Sequence, residues 1–132
     1  MTKIEGLITV ESALEATATL NWLDTVIAAK GVTVFAKINH AGGASGVGMD
    51  LRPTTVLILG TALTGTPLMQ MDQRMGLDLP LRLLVWTDEV NRTFITYNDP
   101  FWIAARFGLF APQLGAMKGL LDALAEGPPH RS

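Results

Sequence analysis

Five side chains that could bind or transform a small molecule stand at the ends of predicted strands and helices. They are His40, Arg52, Thr66, Tyr97 and Asp99. An imidazole ionises near neutral pH, and a guanidinium pairs with a carboxylate or phosphate. A histidine, a tyrosine and an aspartate that met in the fold would form a set capable of acid–base chemistry. The sequence leaves a second interpretation open for each residue, namely a local structural role or a solvated side chain.

The structural alternatives follow from the neighbouring residues. Asp99 precedes Pro100 and Thr66 precedes Pro67, an order typical of a helix N-cap followed by the first helical residue. A helix start also attracts anions, so Thr66 is either a cap or a ligand contact. The glycine-rich segment 40–48 is either a flexible connector, a short helix or a place where backbone amides approach an anion. It contains no complete phosphate-binding glycine motif.

The composition limits the classes of function. The chain has 132 residues, of which 48% are hydrophobic and 17% charged, and a net charge of -2. That is enough apolar material for a packed core, and no basic block indicates nucleic-acid binding. Cysteine is absent, and the two histidines form no metal-binding pair, so we expect no metal and no cofactor. With no signal-peptide pattern and no long apolar run, we expect a cytoplasmic protein without membrane contact.

Hydrophobic periodicity predicts five strands and three or four helices. The predicted strands cover residues 4–10, 32–39, 54–59, 79–87 and 92–98, the last two joined as a hairpin. The predicted helices cover residues 12–30, 66–76 and 100–107, with a final helix after Pro112. The order predicts a two-layer α+β domain over residues 1–127, with a mixed five-stranded sheet and helices mainly on one face. Residues 128–132 are predicted to be a disordered tail.

The first helix carries recognisable boundary signals. Ser12 and Glu15 have the spacing of a capping box, and Gly31 can supply the left-handed residue that ends a helix.

Two further stripes are either core or the lining of an apolar pocket, and helical spacing favours core. They are Met69, Met71 and Met75, and Trp102, Phe107 and Phe110.

Several ordered segments resemble one known family. They are Val34 to His40, Leu51 to Gly60, Gly65 to Met69, Leu77 to Arg82 and Tyr97 to Pro100. In this order they resemble the domain-of-unknown-function 302 family, over nearly the whole chain. The resemblance implies a small α+β domain, often dimeric, and brings no catalytic residues with it. One loop departs from the family pattern: Gly-Asn-Pro-Lys is usual after the third strand, whereas this chain has Gly60, Thr61, Ala62 and Leu63.

Three functional hypotheses follow. The leading one is a small-molecule binding or accessory module that acts as a homodimer, with a pocket near His40, Thr66 and Tyr97. The second is an enzyme that uses His40 as a general base on a small molecule. The third is a structural or interaction module without a ligand site.

Overall fold

The computed structural model describes residues 2–128, and an antiparallel sheet forms its centre. The strands are β1 (Leu7–Glu11), β2 (Thr33–Asn39), β3 (Thr54–Gly60), β4 (Leu81–Thr87) and β5 (Thr93–Asn98). The helices are α1 (Ala16–Ala29), α2 (His40–Gly46), α3 (Ala62–Met71), α4 (Pro100–Ala105) and α5 (Pro112–Glu126). A 3₁₀ helix covers Gln73–Leu77. The predicted element order and the α+β class are confirmed. Apart from Pro128, the predicted tail lies outside the described residues.

The strands lie in the order β1-β5-β4-β3-β2, and every neighbouring pair is antiparallel. The prediction of a mixed sheet was therefore wrong in this detail. The two strands joined by α1, β1 and β2, do run in the same direction. They lie at opposite edges of the sheet, however, so they never pair with each other.

The two faces of the sheet differ in burial because successive side chains point to opposite sides. One face is buried under α1, α3 and α5, and it contributes Leu57, Leu59, Leu83, Val85, Ile95 and Tyr97 to the core. These helices contribute Leu23, Ile27, Leu68, Leu114, Leu121 and Leu124. The opposite face carries Ile38, Val56, Ile58, Leu84 and Trp86, which are half-buried or exposed. Helices thus cover mainly one face, as predicted.

Two helix starts differ from the prediction. Helix α1 begins at Ala16 because the Ser12 amide still bonds the Thr93 carbonyl of the sheet, and its hydroxyl accepts from the Leu14 amide. Helix α3 begins at Ala62, where the Thr61 hydroxyl accepts from the Thr64 amide. The predicted start at Thr66 and Pro67 lies inside this helix.

For the glycine-rich segment 40–48, the sequence alone allows a flexible connector or a short helix. In the structure, His40–Gly46 form the short helix α2, capped by the Asn39 side chain, which accepts from the Gly42 amide. Gly31 follows α1 with a φ of 71°, a left-handed conformation that costs glycine little. No helix among residues 2–128 has the length and apolar character needed to cross a bilayer.

Candidate functional site

A cavity of about 590 Å³ opens between α3, α5 and the adjoining ends of β2, β3 and β4. Small residues on the two helices leave this space. Gly65 lies on α3, and Ala116, Gly119 and Ala123 lie on α5. A Cβ atom at Gly119 would have no neighbour within 4 Å, so this glycine borders open space. A volume of this size is typical of sites that hold small organic ligands.

The cavity is lined mainly by apolar side chains. Its aliphatic and thioether wall consists of Val32, Met69, Leu79, Leu81, Met117 and Leu120, and Phe35 stands on the β2 side. Phe35 lies at the irregularity in the β2–β3 register between Val34 and Ala36, and it is 54% exposed. The wall favours a ligand with an apolar body, because desolvating such a body against it is favourable.

The polar groups of the cavity are few. Thr61, Thr64 and Thr66 bring hydroxyl groups, and Lys30 brings the one charged side chain that residues 2–128 contribute to the lining. The Thr61 and Thr64 hydroxyls lie 3.1 Å apart and bond each other. Among the described residues, the Thr66 hydroxyl has no hydrogen-bond partner and the Lys30 ammonium has no carboxylate partner. These two groups are therefore free to contact a ligand.

His40 lies away from this cavity. It is the first residue of α2, directly after β2, and its side chain is exposed. The cavity contacts the other end of β2, where Thr33 pairs with Gly60. Six residue steps along a strand separate Thr33 from Asn39, which corresponds to roughly 20 Å.

Tyr97 occupies a different position again. It lies on β5 beneath α5, and its hydroxyl donates to the Asp122 carboxylate at 2.5 Å. Lys118 donates to the other oxygen of Asp122 at 2.8 Å. Burial, together with the neighbouring Asp122 carboxylate, raises the pKa of Tyr97 far above its usual range. The hydrogen bonds from Lys118 and Tyr97 lower the pKa of Asp122.

The structure therefore does not bring the five predicted residues into one site. His40 and Tyr97 are separated by β3 and β4, or roughly 14 Å across the sheet. Thr66 lines the cavity, whereas Tyr97 lines a shallow groove that shares Gly119 and Ala123 of α5 with the cavity.

Asp99 and Arg52 have local contacts. The Asp99 carboxylate accepts from the Phe101 amide, so Asp99 is the N-cap of α4. Arg52 is exposed and lies 3.9 Å from the Glu89 carboxylate.

Sequence reasoning missed most residues of the cavity. The sequence assigns Lys30, Thr61 and Gly119 only to helices or loops, and among the lining residues it indicates only Thr66 and Met69 as pocket candidates. The three methionines of the predicted stripe lie in different environments. Met69 lines the cavity, Met75 is in the core and Met71 is 53% exposed. The relevant signal in the sequence is the presence of small residues on both α3 and α5, which indicates a cavity only once those helices are known to be in contact.

The fold defines the chain as a two-layer α+β domain with a five-stranded antiparallel sheet. A family model described as "Domain of unknown function DUF302" matches residues 8–125, and the chain belongs to this family. A crystal structure of an uncharacterized conserved DUF302 protein from Bacillus stearothermophilus has the same fold. Its TM-score is 0.82 at 16% identity, covering 93% of this chain and 98% of that one.

Curated relatives come from Brucella. Proteins of Brucella suis biovar 1 and Brucella abortus biovar 1, each named fluoride-specific ion channel FluC 1, are 37% identical to this chain over 116 residues. The match covers 88% of this chain but 46% and 43% of those proteins. The chain thus spans less than half the length of the curated relatives it matches.

Proposed function

We propose that this chain is a cytoplasmic small-molecule binding module that acts as a homodimer, with its binding site in the cavity between α3 and α5. The single observation that supports the binding role is the cavity itself. It combines an apolar wall with a small number of free polar groups, a pattern typical of ligand sites. His40 and Tyr97 are not part of the proposed site, and Thr66 is.

The experiment is a thermal-shift screen of small apolar molecules against three proteins. Gly119→Leu adds a bulky side chain at a residue that lines the cavity, and the fold tolerates it because the position has open space and leucine favours helix. Gly115→Leu is the matched control, since Gly115 lies on the same helix, has equal space and does not line the cavity. A ligand at a hundredfold excess over its Kd should raise the stability by about 2.7 kcal/mol.

The proposal predicts that hits stabilise the wild type and Gly115→Leu but not Gly119→Leu. Equal shifts in all three proteins would place the binding elsewhere and reject this cavity.

The homodimer is supported by the sheet face that α1, α3 and α5 leave uncovered. Five strands and about six residues per strand give a face of roughly 24 Å by 20 Å. Two such faces together bury on the order of 1,000 Å², which is the lower end of what a specific interface requires. The face carries Ile38, Val56, Ile58, Leu84 and Trp86, with Arg82 as a charged residue at one end. A second copy of the chain presents the same apolar face, so the two uncovered faces can pack against each other and exclude water.

Oligomeric state tests this part of the proposal. Light scattering should give the wild type twice the 14.2 kDa mass of the chain. Ile38→Lys, at a side chain that is 43% exposed, should be a folded monomer. Val90→Lys, at an apolar residue of the β4–β5 turn that is 62% exposed, should remain dimeric. A monomeric wild type contradicts the proposed dimer.

A second candidate function is that of an accessory domain for an ion-transport protein. It is favoured by the relatives named fluoride-specific ion channels, in which the matching stretch is less than half of the protein. The test reconstitutes the Brucella suis relative without its matching stretch in liposomes and adds this chain. Fluoride efflux that depends on the added chain supports the accessory role, whereas unchanged efflux contradicts it.

A further inference from the structure

We infer that the ligand of the cavity is an amphipathic monoanion, a molecule with an apolar body and one carboxylate or comparable acidic group. This inference rests on the proposed binding function and adds the chemical class of the ligand. The juxtaposition that carries it is the ammonium of Lys30, which has no carboxylate partner among residues 2–128, at the edge of an apolar cavity whose lining in that part of the chain contains no acidic residue.

The charge distribution around the cavity is unusual within the chain. Nine lysine and arginine residues belong to the described part, and six of them form ion pairs. Lys30, Lys3 and Arg82 are the described exceptions, and of these only Lys30 lines the cavity. A cation without a carboxylate partner beside a desolvating apolar surface favours an anion over a neutral or cationic molecule of the same shape.

The position of Lys30 defines where the anionic group would lie. Lys30 follows α1 and precedes β2, so it stands at the same end of the cavity as Val32 and Gly60. The apolar wall continues from there towards Met69, Met117 and Leu120, on the facing surfaces of α3 and α5. A ligand with its acidic group at Lys30 would therefore extend its apolar body between the two helices.

Lys30 also has a structural role that the test must separate. It is the residue that caps the C-terminal end of α1, where a positive charge is favourable in any protein. Loss of that role would lower the stability of the free protein. It would not change which of several ligands binds best.

The experiment compares three probes with the same eight-carbon chain by isothermal titration calorimetry: octanoate, octanol and octyltrimethylammonium, all below their critical micelle concentrations. The wild type should bind octanoate about tenfold more tightly than octanol, and bind octyltrimethylammonium most weakly. Higher salt should reduce the preference for octanoate. Lys30→Gln should bind octanoate and octanol equally, and Lys30→Arg should restore the preference. Lys3→Gln, which removes an unpaired lysine outside the cavity, should behave as the wild type.

The remaining outcomes distinguish the two proposals. The ligand class is wrong if octanol binds as tightly as octanoate, or if the cationic probe binds best. In either case the cavity remains a binding site, provided that Gly119→Leu abolishes the binding. If Lys30→Gln keeps the full preference for octanoate, the inference is also wrong. If no probe binds, or if Gly119→Leu binds all of them like the wild type, both the proposed binding site and its ligand class are contradicted.

Discussion

The Tyr97 hydroxyl donates to the Asp122 carboxylate at 2.5 Å, and this hydrogen bond joins the sheet to α5 at the edge of the core, where the Asp122 side chain is 46% exposed. The two residues are 25 positions apart in the chain, so the contact exists only in the folded protein. Because α5 also forms one wall of the cavity, this contact helps to hold the proposed ligand site in place.

The first prediction concerns the ionisation of the tyrosine. Tyr97 is the one tyrosine of the chain, so absorbance at 295 nm reports its titration alone. Burial and the Asp122 carboxylate raise the pKa of Tyr97, so the folded protein should show no tyrosinate transition near pH 10. The unfolded protein in guanidinium chloride should show one. Since the pKa of Tyr97 is higher in the folded state, its contribution to stability is present below about pH 10 and falls as the pH rises further. A normal transition near pH 10 in the folded protein would contradict the contact.

The second prediction concerns the contribution of Asp122 to stability at low pH. Hydrogen bonds from Lys118 and Tyr97 lower the pKa of Asp122 below its unfolded value of about 3.9. A lowered pKa gives stability that is present above the unfolded pKa and lost as the pH falls through the folded one. Asp122→Asn should therefore lose less stability than the wild type between pH 5 and about pH 2, as followed by urea unfolding at each pH. Parallel curves for the two proteins would show that Asp122 does not contribute.

The α4 N-cap gives a third prediction. The Asp99 carboxylate accepts from the Phe101 amide at 2.9 Å. Asp99→Ala should lower the free energy of unfolding by about 1 kcal/mol, because that amide loses its partner. Asp99→Asn is the control, since asparagine caps a helix about equally well. Chemical denaturation measures both. An alanine variant as stable as the asparagine variant would show that the cap contributes nothing.

A matched pair of glycines gives a fourth prediction. Gly6 and Gly31 have nearly equal left-handed φ angles of 76° and 71°. A Cβ atom at Gly6 would lie 2.3 Å from ring carbons of Trp102, whereas one at Gly31 would meet nothing within 4 Å. Gly31→Ala should cost about 1 kcal/mol through backbone strain alone, and Gly6→Ala about 3 kcal/mol because the ring must also move. Equal destabilisation in urea would mean that the packing of Trp102 on Gly6 is not tight.

The sequence predicted those features that depend on residues near each other in the chain. Asp99 as a cap depends on an amide two residues away, and Gly31 ends a helix through its own conformation. The strands followed from alternation along each segment. The α3 start was missed because Thr61 and Thr66 are both acceptable caps locally, and Pro67 argued for the later one. Pro67 has no amide hydrogen to donate to the Leu63 carbonyl, four residues earlier in the helix. Because Leu63 is 85% exposed, water can hydrogen-bond that carbonyl, and α3 continues through Pro67.

The site could not be predicted in the same way because its residues meet through the packing of distant segments. Lys30, Thr66 and Gly119 come from three different helices or their ends, and no local pattern relates them. His40 looked functional because it ends a strand next to a glycine-rich stretch. In the folded protein, however, His40 lies at the opposite end of β2 from the cavity, which contacts β2 at its Thr33 end. Strand order and helix contacts, which periodicity does not contain, decide which side chains meet.

The most direct test of the proposed binding site is NMR of the protein labelled with ¹³C at its methionine methyl groups, titrated with octanoate. Met69 and Met117 line the cavity, whereas Met49 and Met71 are exposed outside it and serve as internal controls. A ligand site between α3 and α5 predicts saturable shifts of the Met69 and Met117 methyl signals, with those of Met49 and Met71 unchanged. Saturating octanoate that leaves the Met69 and Met117 signals in place would contradict a ligand site between α3 and α5.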